Sequence, residues 1–480
     1  MLTDPTTTTR GVASVAIFLD TPPSWQAELR RCKWICTGKG PSVHDPLSSF
    51  DLVSDELDQR TETGYDVTAQ RAAFAATDPD DVAALEGILE SLEHAERAPG
   101  WAYEEPESLG DILDSLPVAD SPGRPGDAEV ERRIHGAWLG RIAGCNLGKP
   151  VEWGPHWTTT HLREYLELAD AWPLRDYFPV LDPMPARFEL RENWPETTRG
   201  NVDGSARDDD IDYPILGLHL LEQHGAGLTR NHVAESWLTL LPYLQVYTAE
   251  RAAYTNLINN VPIERVATVR NPYREWIGAL IRGDVFGWTN PGDPRAAAAL
   301  AYEDASLSHV ANGVYGEIWA AAITSCAFGA ATVEEAFEAS LDHVPPRSRL
   351  AEALRDVQRM HRDGLTWEQA IEAIQLRYGR YSWVHTINNA AIIAAGLLWG
   401  EGDYAATVGL TVQGGWDTDS NGATAGSVAG IVLGADRLPA NFIEPLHDRT
   451  RSALFGFDHS RISDLARRTA VLARAGAAVG

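Results

Sequence analysis

From Ala128 to the C-terminus, apolar side chains recur at three- and four-residue steps and few runs alternate strictly. That period predicts helix after helix. The segments that fit are residues 129–147, 214–224, 232–250, 294–306, 316–328, 333–341, 348–362, 367–377, 388–399, 404–413, 423–433 and 462–473. Residues 1–115 read differently: a possible strand at 11–19, a long polar acidic tract, and one amphipathic helix at 80–98 with Val82, Leu85, Leu89 and Leu92 on one stripe. Between them, residues 116–126 carry three prolines and two glycines with little to bury, which marks a boundary. The predicted fold class is all-α, a compact multi-helix bundle over residues 128–480, preceded by an α+β or irregular extension over residues 1–127.

Two of the predicted helices carry glycines four residues apart: Gly136, Gly140, Gly144 and Gly148 in one, and Gly422, Gly426, Gly430 and Gly434 in the other. An interior glycine costs a helix about 1 kcal/mol relative to alanine, so each row implies a close neighbour. Arg133 and Arg141 exclude a membrane dimer face. Tight packing at the centre of the bundle remains, with the two rows against each other or each against a separate partner.

Composition adds a large core, 44% hydrophobic in 480 residues, and a formal net charge of -28. Such a charge opposes nucleic acid and anionic membranes and favours a metal ion or a cationic substrate part. It is uneven: the first 120 residues hold 8 basic and 23 acidic side chains, net -15, so the N-terminal piece is a separate electrostatic object. Cys32, Cys36, Cys145 and Cys326 are too scattered for a disulfide framework and suit a reducing compartment. Cys32 and Cys36 stand at helical spacing, but no second His or Cys pair follows to complete a metal site. The short apolar run at 12–19 lacks the features of a signal peptide, and no stretch reaches the roughly 18 apolar residues of a spanning helix, so the expectation is a soluble, cytoplasmic protein.

Candidate chemistry lies in two acidic clusters at predicted helix starts. In Arg207-Asp208-Asp209-Asp210-Ile211-Asp212, one aspartate suffices as a cap, whereas three in a row repel unless a cation sits among them. Gly414-Gly415-Trp416-Asp417-Thr418-Asp419-Ser420-Asn421 opens onto the second glycine row, and its alternating oxygens are hard ligands suited to Mg²⁺, Mn²⁺ or Ca²⁺.

With these clusters, the stretch from Gly136 to Glu152, ending Gly148-Lys149-Pro150-Val151-Glu152, resembles the opening helix of the ADP-ribosylglycohydrolases related to the dinitrogenase-reductase-activating glycohydrolase. Asp208-Asp209-Asp210 is similar to that family's Thr/Ser-Asp-Asp motif, and Gly415-Trp416-Asp417-Thr418-Asp419-Ser420 to its Gly-Gly-Asp-Thr-Asp-Thr/Ser motif, in the family's order over roughly residues 130–450. The resemblance implies two Mg²⁺ ions, with Mn²⁺ or Ca²⁺ as substitutes, held by Asp208, Asp209, Asp210, Asp417, Asp419 and Ser420. It implies Glu152, Asp210 and Asp419 in catalysis, and Trp416, Gly415, His309 and Asn312 against the substrate. A satisfied core or helix-cap role is the other reading of His309.

Three departures stand out: Asp208 replaces a hydroxyl, Cys145 replaces the usual aspartate of the first motif, and Trp416 replaces the second glycine. The implied activity is hydrolysis of an N- or O-glycosidic bond at the ribose of an ADP-ribosyl or related nucleotide-like substrate, free or on a protein. A binding or structural protein of the same fold is the alternative. A dimetal phosphohydrolase would usually carry histidine ligands, and neither cluster has one.

Overall fold

A computed structural model describes residues 48–477. Among them the chain is all-α: β-pairing is limited to two isolated bridges, Tyr65 with Arg97 and Trp276 with His385. The possible strand at 11–19 and the Cys32/Cys36 pair lie outside the described residues.

Five helices position the site and are labelled in chain order: α1 (Asp127–Gly148), α2 (Asp209–His224), α3 (Ala311–Ala327), α4 (Thr386–Trp399) and α5 (Thr418–Leu433). Helices α1 and α5 are the two glycine-row helices, and they run antiparallel against each other. Gly136 faces Gly430, Gly140 faces Gly426, Gly144 faces Gly422, and Gly148 meets the carbonyl of Thr418. A Cβ on any of these glycines would overlap backbone of the other helix, so the rows exist to let two backbones touch. Polar groups fill the seam's remaining needs: Thr418 Oγ1 donates to the Gly148 carbonyl at 2.8 Å, and Tyr404 donates its hydroxyl to the Gly140 carbonyl at 2.8 Å. The antiparallel direction sets the C-terminus of α1 beside the N-terminus of α5.

Around this pair, α3 and α4 are buried along nearly their whole length, which is why their apolar residues occupy every face rather than one stripe. The predicted helix at 232–250 is two helices, Arg230–Leu240 and Thr248–Ile258. Pro242 breaks it, since proline removes a backbone donor and crowds the preceding turn.

The acidic tract upstream is helical, Ser49–Glu62 and Thr68–Ala76, and the helix expected at 80–98 spans Val82–Leu92 with Asp81 capping it. Val53, Leu57, Val67, Leu85, Ile88 and Leu92 close a small core of their own there, while Val82 of the expected stripe is exposed. These residues join the bundle through buried ion pairs: Glu56 with Arg274 at 2.6 Å, and Glu105 with Arg349 at 2.9 Å.

Candidate metal centre

Three helix ends meet at the site: the turn after α1 with Lys149 and Glu152, the start of α2 with Asp208, Asp209 and Asp210, and the start of α5 with Asp417, Asp419 and Ser420. Acidic residues at two helix N-termini and a lysine at a helix C-terminus each oppose the helix dipole favourably. Asn146 in α1 sets the approach to α2, donating from Nδ2 to the Gly204 carbonyl at 3.1 Å and accepting from Ala206 N–H at 3.2 Å.

The aspartates do different work. Asp208 is the N-cap of α2, its Oδ1 accepting from Asp210 N–H at 2.8 Å, while its Oδ2 pairs with the Lys149 ammonium. Asp210 is tied down by Arg141, whose guanidinium bonds its carbonyl at 2.8 Å and its Oδ1 at 3.1 Å, and by the Ser420 hydroxyl, which donates to its Oδ2 at 2.9 Å. That last bond links the two acidic clusters directly. Asp417 holds the N-cap position of α5 yet makes no side-chain capping bond, although it is buried. Its backbone N–H donates to Asn389 Oδ1 at 3.2 Å, and Asn421 Nδ2 donates to the same oxygen at 2.7 Å, so Asn389 of α4 fixes the turn.

Ligand-bearing atoms converge in two groups sharing Asp419: Cys145, Asp208 and Asp419, and Glu152, Asp417 and Asp419, each within 4.8 Å of one another. Burial pushes Asp417 well above the usual carboxylate range, and Asp419, Glu152 and Asp210 repel it further. Glu152 rises to about 8 through burial and Asp419, against the pull of Arg191 and Lys149. Asp210 also rises to about 8, chiefly by burial, which Arg141 only partly offsets. Asp209 moves up for the same leading reason and lies outside both groups. Burial pushes the Cys145 thiol well up, with Asp210 and Asp419 adding to it.

Gly415 and Trp416 form the turn into Asp417, with φ of +78° and +61°. The second value explains the glycine that the related motif has there, since a left-handed tryptophan costs roughly 1–2 kcal/mol. Trp416 is nevertheless buried, its ring edge 4.0 Å from the position a Cβ would take on Gly379.

His309 and Asn312 fall elsewhere in the contact network. Asn312 donates to Glu105 at 2.7 Å and accepts from Leu350 N–H at 2.9 Å, which uses its amide inside the bundle. His309 Nδ1 bonds Ser308 at 2.8 Å, and burial with the nearby Arg282 holds the ring well below its usual pKa, hence neutral. Neither residue bonds to a member of the acidic clusters. Lys149, Arg141 and Asn389 are the site residues that the sequence reading did not single out for the site. Lys149 carried a local signal, the one charged side chain between Gly148 and Pro150.

An all-α bundle that gathers buried carboxylates between its helix ends has the hard oxygen donors a divalent cation requires. The chain belongs to the ADP-ribosylglycohydrolase family, which it matches over residues 126–478. Membership supports a glycohydrolase-type enzyme with ADP-ribose-type ligands. Among solved structures, an ADP-ribosylglycohydrolase-related protein complex is similar at 19% identity and a TM-score of 0.43, covering 72% of this chain and 99% of that one. No curated protein matches the chain. No helix among the described residues is long and apolar enough to cross a membrane.

Proposed function

We propose that this chain is a divalent-metal-dependent hydrolase that cleaves the N- or O-glycosidic bond at the ribose of an ADP-ribosyl or related substrate. The observation that carries the reading is Asp417: a buried carboxylate at a cap position that does not cap, packed against Asp419 and Glu152. Capping and solvation therefore do not account for this carboxyl, and three hard oxygen donors at this spacing fit Mg²⁺ or Mn²⁺. When bound, the cation supplies Lewis acidity and a template for vicinal ribose hydroxyls.

The chain's own groups supply the rest. Glu152, through the carboxylate oxygen left free by the cation, takes a proton from the attacking water and passes it to the leaving atom. Asp419, shared by both ligand groups, holds the charge that opposes the developing positive charge on the ribose ring. Asp210 is held by Arg141 and Ser420 and fixes the distance between the clusters. Gly415 and Trp416 wall the substrate side, and the acidic surface favours a small nucleotide-like ligand or a cationic side chain as leaving group.

Incubation with Mg²⁺ and a panel of ADP-ribosylated peptides, free ADP-ribosyl compounds and NAD tests this through released ADP-ribose. Release that EDTA abolishes is the expected result. A folded, metal-loaded protein that binds ADP-ribose and releases none from the whole panel would establish the binding role instead.

A further inference from the structure

The two ligand groups share Asp419 but differ in what already neutralises them. In the first, Cys145, Asp208 and Asp419, a cation is built in: the Lys149 ammonium pairs with Asp208 Oδ2 and stands 3.7 Å from Asp419 Oδ2. Lys149 is only 9% exposed, and its backbone is fixed as the C-cap of α1 with Pro150 next in the chain. The third member of this group is a buried thiol, a poor partner for a hard dication. In the second group, Glu152, Asp417 and Asp419, the compensation is weaker: Lys149 reaches the shared Asp419 and acts on Glu152 without pairing with it. Arg191 approaches Glu152 no closer than 4.0 Å, and among the described residues no ion pair reaches Asp417.

Two of the other aspartates are accounted for. Asp210 pairs with Arg141, and Asp212 pairs with Arg207 at 2.8 Å and bonds Ser452 at 2.7 Å. The sequence carries the same compensation, because the carboxylate gained at Asp208 and the one missing at Cys145 both border Lys149. A dication within the first group would have to share Asp208 and Asp419 with a tethered ammonium at contact distance, where like charges repel strongly.

We propose that the Lys149 ammonium is the resident cation of the Cys145, Asp208 and Asp419 group, so that the chain takes up one divalent ion, at Glu152, Asp417 and Asp419, and not two. This rests on the metal-dependent reading above. It assigns Lys149 a share of the positioning otherwise left to a second ion, holding Asp208 and Asp419 in place while the other face of Asp419 remains for the metal.

The test is metal stoichiometry on the full chain, stripped with EDTA and titrated with Mn²⁺, read by native mass spectrometry and by electron paramagnetic resonance. The wild type is expected to take up one Mn²⁺ with the six-line spectrum of an isolated ion, lost in Asp417→Asn. Lys149→Met is expected to take up a second, with an exchange-coupled spectrum, while Lys149→Arg stays at one. Two coupled ions in the wild type would overturn the inference and leave the metal-dependent reading standing. No ion in the wild type would overturn both. A folded Lys149→Met that still binds one ion would overturn the inference, and should that variant not fold, the wild-type and Lys149→Arg counts decide.

Discussion

Glu152 sits partly buried beside Asp419 and Arg191, in the group that would hold the cation, where a carboxylate oxygen can relay a proton between water and the leaving atom. Glu152→Gln keeps the shape and an oxygen ligand but cannot carry that proton. The expected outcome is a fall in kcat of roughly 10²–10⁴-fold with the thermal melt unchanged, measured by ADP-ribose release on whichever panel substrate turns over. At this scale the gathering of oxygen-bearing side chains at the start of α5 was legible because Asp417, Asp419 and Ser420 are close in the chain and share one turn. Lys149 was not, since only the meeting of α1 with the starts of α2 and α5 brings its ammonium to Asp208 and Asp419. His309 and Asn312 were read from their place in a segment; packing gives the amide of Asn312 to Glu105 and Leu350 and His309 Nδ1 to Ser308, while His309 Nε2 is buried without a hydrogen-bond partner among the described residues.

At the scale of elements, the α1/α5 seam determines where the site can be. Because Gly140 and Gly426 press backbone to backbone, a methyl on either must push the helices apart along the line that ends at Gly148, Thr418 and Asp419. Gly426→Ala is expected to destabilise by about 2–3 kcal/mol despite alanine's higher helix propensity, measured as a lower urea midpoint, and to weaken Mn²⁺ binding through the displaced Asp419. Gly87, in the middle of the Val82–Leu92 helix, is the control: a Cβ there meets nothing within 4 Å, so Gly87→Ala should stabilise by about 0.5–1 kcal/mol. The four-residue rows were visible in the chain because they break a local rule, whereas their pairing was not, since helix partnership is a long-range choice that spacing leaves open. The helix expected across Pro242 shows the converse, a local period continued past a residue that cannot donate its backbone hydrogen bond.

Across the whole molecule, the acidic N-terminal segment meets arginines of the bundle. Arg349, 3% exposed, joins Glu105 of that segment to Glu275, and His385 lies 3.7 Å from Glu275, one helical turn from the Asn389 that fixes Asp417. Burial alone would raise Glu275, yet Arg349 and His385 together hold it well below its ordinary 4.5, and Arg274 and Arg60 likewise lower Glu56 against its burial. A carboxylate depressed in the folded state contributes stability that is complete above its unfolded pKa and is lost as pH falls below it. The contribution of these two carboxylates should therefore hold from pH 7 to about 5 and fall away below about 4.5. Arg349→Met separates this pair from general acid unfolding. At pH 7 it leaves Glu275 buried without its guanidinium and Glu105 without its partner, which should cost about 3–5 kcal/mol. Without the guanidinium, burial governs Glu275 and its pKa moves above the unfolded value, so acid relieves the variant by protonating the stranded carboxylate. The stability gap between wild type and variant should thus be widest near pH 7 and narrow towards pH 4, measured by urea midpoints at each pH. A gap constant across that range would mean that Arg349 acts by packing, and that the N-terminal segment is held by its apolar contacts rather than by charge.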